Sequence, residues 1–370
     1  MESCFGRGKR ALDEKELIVR EKTEQLRETA ELRTSLMNDP KLHYLFFELT
    51  LRCNENCVHC GSRCGDVPSE ELPAEVFIGI LDKVAEDFKG RLPMLCITGG
   101  EPLLRKEFFE IAEHAKKLGY MWGITSNGTL ITKDVARRLK EAGMATISVS
   151  LDGTKEYHDA FRRSKNAYER TVEGLRNLME QGFEEVQVTT VVTPKNLPLL
   201  DEMFRVLCET DVDSWRLVGV EPIGRALEHP ELFLSKSEQL RLLQYIRDRR
   251  EEGYPVAYAC SHWLGLGFER EVRDSYFFCD AGLRTASIMA NGDIGGCLDI
   301  DRRPETIQGN VLKDDFTEVW KKRFGIFRKP LSSRCAECAQ CPDEMFCRGG
   351  SAHTWDYVND RQLVCFRRDW

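Results

Sequence analysis

From Tyr44 to about residue 255 the chain alternates short apolar runs of β type with amphipathic stretches of helical period, and this alternation restricts the fold more than any other feature. The runs Leu45 to Leu51, Met94 to Thr98, Met121 to Ser126, Ala145 to Leu151, Val186 to Thr193 and Trp215 to Val220 predict strands. Helices are expected at 74–88, 105–118, 133–142, 167–181, 198–209 and 236–251. Strand and helix in regular succession call for parallel strands with the helices outside. The fold class is therefore α/β, with a barrel or a doubly wound sheet, and in either form ligands sit at the C-terminal strand ends.

Two other regions flank this unit. Residues 11 to 36 alternate Glu with Arg or Lys, with Leu12, Val19 and Leu26 at seven-residue spacing and Leu32 and Leu36 further on. They predict one amphipathic helix docked on the main domain, with a leader-peptide or partner contact as the alternative. After about Cys260 the composition turns to Gly- and Cys-rich loops with little periodicity, as in a small domain whose core needs metal staples. The expected division is 1–43 as a helical extension, 44–255 as the βα domain and 256–370 as a Cys-rich domain. A length of 370 residues suits one large core plus an attachment.

Composition narrows the function. With 42% apolar and 31% charged residues, no apolar run is long enough to cross a bilayer. The opening MESCFGRGKR has no apolar signal-peptide core, so a cytoplasmic location is expected. A net charge of −8 without a basic stripe argues against a nucleic-acid partner. Fifteen cysteines are many for a compartment that keeps thiols reduced, and they point to metal or catalysis. The odd count also disfavours a closed disulfide set.

Directly after the first predicted strand, Cys53-Asn-Glu-Asn-Cys57-Val-His-Cys60 places three thiols on one loop. Soft thiolates select iron–sulfur clusters or zinc, and zinc would take a fourth close donor such as Cys64 or His59. Gly99-Gly100-Glu101-Pro102 ends the second strand, where glycines let backbone approach a ligand. Ser126-Asn127-Gly128 ends the third strand. Ser148-Val-Ser150-Leu-Asp152-Gly153 and His158-Asp159-Ala-Phe-Arg162 follow the fourth.

In this order the motifs resemble those of the radical S-adenosylmethionine (SAM) superfamily, whose fold is a partial (β/α)6 barrel. The resemblance implies that Cys53, Cys57 and Cys60 hold a [4Fe–4S] cluster whose fourth iron is chelated by SAM, which leaves Cys64 as a spare thiol. His59 takes the aromatic-type position before the last cysteine. Gly99, Gly100 and Glu101 would bind the SAM amino group, and Ser126 and Asn127 would lie near its ribose and methionine. Ser150 and Arg162 would hold its carboxylate, with Arg163 as the competing fork. Asp152 and His158 read as turn-forming and structural, and Val192 either packs adenine or is plain strand core. In the family, reductive cleavage of SAM yields methionine and a 5′-deoxyadenosyl radical that abstracts hydrogen. The implied partner is an electron donor such as flavodoxin or ferredoxin.

Further on come Cys279, Asn291-Gly292-Asp293-Ile-Gly-Gly-Cys297, Cys338-Ala-Gln-Cys341, Cys347 and Cys365. This spacing is similar to the SPASM domain, an auxiliary-cluster module of many peptide-modifying radical SAM enzymes, with a zinc ribbon as the alternative. By the family's allocation, Cys338, Cys341, Cys347 and Cys365 complete one [4Fe–4S] cluster. Cys279 and Cys297 belong to another, and Ser351 stands where that cluster's further cysteine is expected. Cys335 and Cys260 are available substitutes, so this cluster is differently ligated, open at one iron, or absent. Cys4, Cys96 and Cys208 read as ordinary thiols.

The expected activity is radical hydrogen abstraction from a peptide or protein. One alternative is the same chemistry on a small molecule such as a tetrapyrrole or sugar. Another is a non-catalytic iron–sulfur scaffold or electron carrier, which would have no use for Gly99–Glu101 and Arg162 beside its cluster. For a general acid or base the candidates are Glu221, in the loop after the sixth strand, then His262 and Asp280.

Overall fold

The computed structural model describes residues 4–65, 71–259 and 261–369, with side chains from Arg20 onward. Cys260 and the side chains of Cys4, Leu12 and Val19 lie outside the described residues. Strands β1 (Tyr44–Glu48), β2 (Met94–Thr98), β3 (Trp122–Ser126), β4 (Thr146–Ser150), β5 (Glu185–Val192) and β6 (Ser214–Gly219) pair in parallel and in chain order. Between them run helices α2 (Ala74–Asp87), α3 (Phe108–Leu118), α4 (Lys133–Glu141), α5 (Lys155–Arg162), α6 (Ala167–Met179) and α7 (Leu200–Thr210), with α8 (Lys236–Glu251) after β6. Helix starts follow from local chemistry: Thr132 caps α4, and Ser235 with Glu238 forms a capping box on α8.

The strands bury one apolar face, and their other face is mixed, with polar groups concentrated on β4, β5 and β6. Leu45, Phe47, Leu95, Ile97, Ile147, Val149, Val188, Trp215 and Leu217 are buried against the helices. Ring contacts Phe47–Phe77, Phe108–Trp122 and Phe204–Trp215 mark that interface. The residues between them, including Cys96, Ser148, Ser150, Gln187, Thr189 and Arg216, are half-buried on the opposite, concave face. Helices therefore cover one side of the sheet, and the other side is left for a polar ligand space.

The sheet extends beyond the expected strands. The three-residue β7 (Val256–Tyr258) joins β6 in parallel, and β8 (Thr285–Ile288) pairs in parallel with β1. Antiparallel β9 (Asp293–Gly295) and β10 (Gly309–Asn310) continue from β8. The result is one ten-stranded sheet in the order β10-β9-β8-β1-β2-β3-β4-β5-β6-β7. β7 is too short for a periodic signal, and β8 is buried on both faces, so neither shows an alternating pattern.

Helix α1 (Cys4–Asn38) forms as expected but docks on the Cys-rich region. Leu26 packs with Trp263, Tyr276 and Phe277, and Leu36 packs with Phe278 and Leu283. Lys22 pairs with Glu271, and the Tyr276 hydroxyl donates to Gln25 at 2.9 Å. The buried register corrects the apolar reading: Leu32 is 49% exposed, whereas Arg33 is 5% exposed. The seven-residue spacing through Leu26 continues to Arg33 and passes Leu32 by.

Candidate active site

The loop after β1 carries Cys53, Cys57 and Cys60, all half-buried. Its backbone is held from two sides. Asn56 and Val58 donate N–H groups to the carbonyls of Arg162 and Phe161 at the end of α5, at 3.2 and 3.1 Å. From the segment after β6, Arg225 donates its backbone N–H to Cys60 O at 3.0 Å. The buried Arg225 guanidinium donates to Cys57 O at 2.8 Å, Cys64 O at 2.5 Å and the Asn56 side chain. Gly224 (φ +55) lies against this loop, where a Cβ would overlap the carbonyl oxygens of Cys60 and Gly61. Arg225 thus supplies donors to the loop carbonyls of Cys57, Cys60 and Cys64. The His59 ring stacks on Phe161 at 4.3 Å, and burial pushes its pKa down to about 4, so it is neutral near pH 7.

The glycine pair brings β2 against the same loop. A Cβ on Gly99 (φ +148) would overlap Thr50 O, and one on Gly100 would overlap Arg52 O. Gly100 N and Glu101 N donate to those two carbonyls at 2.8 and 2.9 Å. The fully buried Glu101 carboxylate accepts from Ser126 Oγ at 3.0 Å, Asn127 N at 2.9 Å and Leu103 N at 3.2 Å. Burial raises its pKa to about 7 against those donors. Asn127 Nδ2 donates to Asn54 Oδ1 at 2.9 Å and approaches Cys53 Sγ at 3.9 Å. Thus the ends of β1, β2 and β3 form one hydrogen-bonded unit around the first thiol.

Arg162 is placed differently from the sequence expectation. Its Nε donates to Asp152 Oδ2 at 2.8 Å and its Nη1 to Glu55 Oε2 at 3.1 Å, with all three side chains buried. Asp152 accepts also from Val191 N, and the Asp152 N–H meets His158 Nδ1 at 3.1 Å. The guanidinium is therefore a strut between the cysteine loop and β4. Arg163, exposed and left-handed (φ +50), ends α5. Ser150 lies on the concave face, whereas Val192 is fully buried in the helix-facing core and Val191 takes the concave side.

The concave face is polar across three adjacent strands. Ser148 and Thr189 share a 2.8 Å hydrogen bond, and Arg216 donates to Thr189 Oγ1 at 3.2 Å and to Ser148 Oγ at 3.3 Å. At its rim, Glu221 Oε2 pairs with His353 Nε2 at 2.6 Å, a residue of the Cys-rich region absent from the sequence candidates. Ser261 donates to the other Glu221 oxygen, and His262 Nδ1 lies 2.5 Å from Ser261 Oγ. Burial opposes the charges, but each partner outweighs it: His353 and His262 hold Glu221 well below the usual carboxylate range, and Glu221 raises His353 to about 9. Asp280 lies elsewhere, paired with Arg284 just before β8, whose Thr285 aligns with Tyr44. That is the N-terminal end of the sheet, remote from the cysteine loop.

The second cysteine set divides into two places. Cys335, Cys338, Cys341, Cys347 and Cys365 line one cavity of about 270 Å³. Cys279 borders a separate cavity of about 40 Å³ with Arg33 and Ala352. Ser351 is buried, with its Oγ 2.7 Å from Thr354 Oγ1, and the N–H of Ala352 donates to Cys279 Sγ at 3.4 Å. Ser351, next to Ala352 in the chain, thus lies near Cys279, while Cys335 faces the other cavity. Cys297 packs partly buried against the core. The donor chemistry fits iron–sulfur clusters in both regions, with three thiols on the first loop and five around the larger cavity.

The radical SAM superfamily profile matches residues 47–207, and an iron–sulfur cluster-binding domain, SPASM, matches 279–342. Over 356 residues the chain is 29% identical to an AdoMet-dependent heme synthase of Methanosarcina barkeri, covering 90% of this chain and 98% of the relative. It is 30% identical over 310 residues to the mycofactocin maturase MftC of Mycolicibacterium smegmatis, covering 83% and 77%. The fold superposes on Streptococcus suis SuiB bound to S-adenosylmethionine with a TM-score of 0.70 at 18% identity, covering 89% and 78%. With anSMEcpe bound to AdoMet the TM-score is 0.68 at 18% identity, covering 89% and 94%.

Fold and site together define an enzyme that uses SAM and [4Fe–4S] chemistry. The chain belongs to the radical SAM superfamily and carries a C-terminal SPASM domain with auxiliary iron–sulfur clusters. Among the described residues no helix is long and apolar enough to cross a membrane.

Proposed function

We propose that this enzyme abstracts hydrogen from a peptide or protein held on the concave face of residues 44–255, in the cytoplasm, with electrons from a flavodoxin or ferredoxin. When bound, the cofactor pair supplies the 5′-deoxyadenosyl radical. Cys53, Cys57 and Cys60 hold the cluster, while His59, Gly99, Gly100, Glu101, Ser126, Asn127 and Ser150 shape the SAM site. Arg162 positions the cysteine loop through Glu55 and Asp152, and Val192 supports β5 from the core. Glu221 and His353 hold or move a proton at the rim, since the pair keeps a charged imidazolium there near pH 7.

One observation carries the substrate class: across β4, β5 and β6 the concave face presents hydroxyls and a guanidinium, with a carboxylate–imidazole pair at its rim. Such a surface matches the amides and charged ends of a peptide, whereas a tetrapyrrole has broad apolar faces to cover. A tetrapyrrole remains the second reading, favoured by the full-length similarity to an AdoMet-dependent heme synthase and by Arg216, suited to a propionate carboxylate. Deuterium transfer separates them. Short peptides encoded beside the gene, synthesised with deuterated side chains, should pass deuterium into 5′-deoxyadenosine. Transfer from a deuterated iron tetrapyrrole, with none from any peptide, would establish the second reading instead.

A further inference from the structure

Helix α1 carries a buried cation into the auxiliary-cluster region. Arg33 is 5% exposed, donates from Nη1 to Phe346 O at 3.1 Å and from Nη2 to Phe277 O at 3.3 Å, and lies over the Phe277 and Phe278 rings at 5.6 and 4.8 Å. Among the described residues it forms no ion pair with a carboxylate. The acidic groups nearby are engaged: Asp280 with Arg284, and Glu269 with Arg273. Arg348, facing the same region, adds like charge and is paired with Glu344. Neutral carbonyls and ring faces do not balance a desolvated guanidinium, and an unpaired buried charge is strongly unfavourable.

The remaining neighbours are thiols. Arg33 and Cys279 line the same small cavity, and the two bonded carbonyls lie within two residues of Cys279 and Cys347. By the family's allocation these two cysteines serve different clusters. Four thiolates around a [4Fe–4S]²⁺ core total about −2, and one-electron reduction by an external donor takes the total to about −3. A cation unpaired against the protein would find its anionic partner in such clusters.

We propose that Arg33 is the counter-charge of the auxiliary clusters, supplied by the N-terminal helix, and that it raises their reduction potential by stabilising the added electron. Charge close to a cluster is an established lever on its potential. Arg33 touches neither SAM nor substrate, so it is a positioning and tuning residue. The inference stands on the auxiliary clusters and is independent of the substrate.

The test uses the full chain with clusters reconstituted, comparing wild type, Arg33→Lys and Arg33→Met by iron content and by dithionite titration followed by electron paramagnetic resonance. The Met variant should either titrate at a lower auxiliary-cluster potential or lose auxiliary iron selectively. The Lys variant should stay near wild type, and the signal of the Cys53–Cys57–Cys60 cluster should be unchanged in both. Full iron with unshifted auxiliary potentials in the Met variant would overturn the proposal. So would a Lys variant as impaired as Met, because the role would then be packing and not charge.

Discussion

The two cysteine regions are built in opposite ways. The barrel loop is fixed by the fold itself: α5 carbonyls on one side, Arg225 and Gly224 on the other, and the Glu101–Ser126–Asn127 unit beneath. The C-terminal thiols instead sit on loops and four-residue helices, Ala336–Ala339 and Glu344–Cys347, around a cavity. The backbone of the first loop is thus held by the fold, and the second region is expected to depend on metal for part of its structure.

Iron removal should break this comparison most visibly. In chelator-treated protein, amides of residues 331–365 should lose hydrogen-exchange protection while β1 to β6 keep theirs. Equal loss in both regions would show that the barrel loop also depends on metal.

Arg162→Ala should come next. It leaves the buried Glu55 and Asp152 carboxylates without their cation, a loss of about 3–5 kcal/mol in unfolding free energy. Arg163→Ala, at an exposed site, should change stability by less than about 1 kcal/mol. Denaturant melts of the two variants check the ranking.

Gly224→Ala is expected to cost about 1–3 kcal/mol, because a Cβ overlaps the loop carbonyls and the backbone is left-handed. The substitution should lower iron in a background lacking the auxiliary cysteines and leave iron unchanged in a background lacking Cys53, Cys57 and Cys60.

A pH dependence sharpens the contact between the regions. His353 has a folded pKa of about 9 against about 6.5 unfolded, so its contribution is full below about pH 6.5 and is lost as pH rises towards 9. Glu221, held low, contributes above about pH 4.5 and loses its share only in more acidic solution. Thermal melts should therefore show stability declining from about pH 6.5 to 9, and Glu221→Gln should flatten that decline.

Much of this was legible in the sequence where the information is contiguous. The spacing of Cys53, Cys57 and Cys60, the Gly99-Gly100-Glu101 turn and Ser126-Asn127 each lie within one segment at a strand end, and the six long strands fall within a few residues of their expected ranges. What escaped depends on contacts between distant segments. Arg225 grips a loop more than a hundred residues away, His353 meets Glu221 across two regions, and Arg33 follows a heptad register whose earlier members are apolar. The Arg162 fork looked free for SAM because Glu55, its second partner, is an unremarkable residue between two cysteines.

The most direct measurement counts 5′-deoxyadenosine and iron together, in reduced wild-type protein and in the Cys53→Ala, Cys57→Ala, Cys60→Ala triple variant, each incubated with SAM. The account predicts 5′-deoxyadenosine from wild type, none from the triple variant, and C-terminal iron retained in that variant. Surviving cleavage without the three cysteines, or loss of all iron with them, would contradict it.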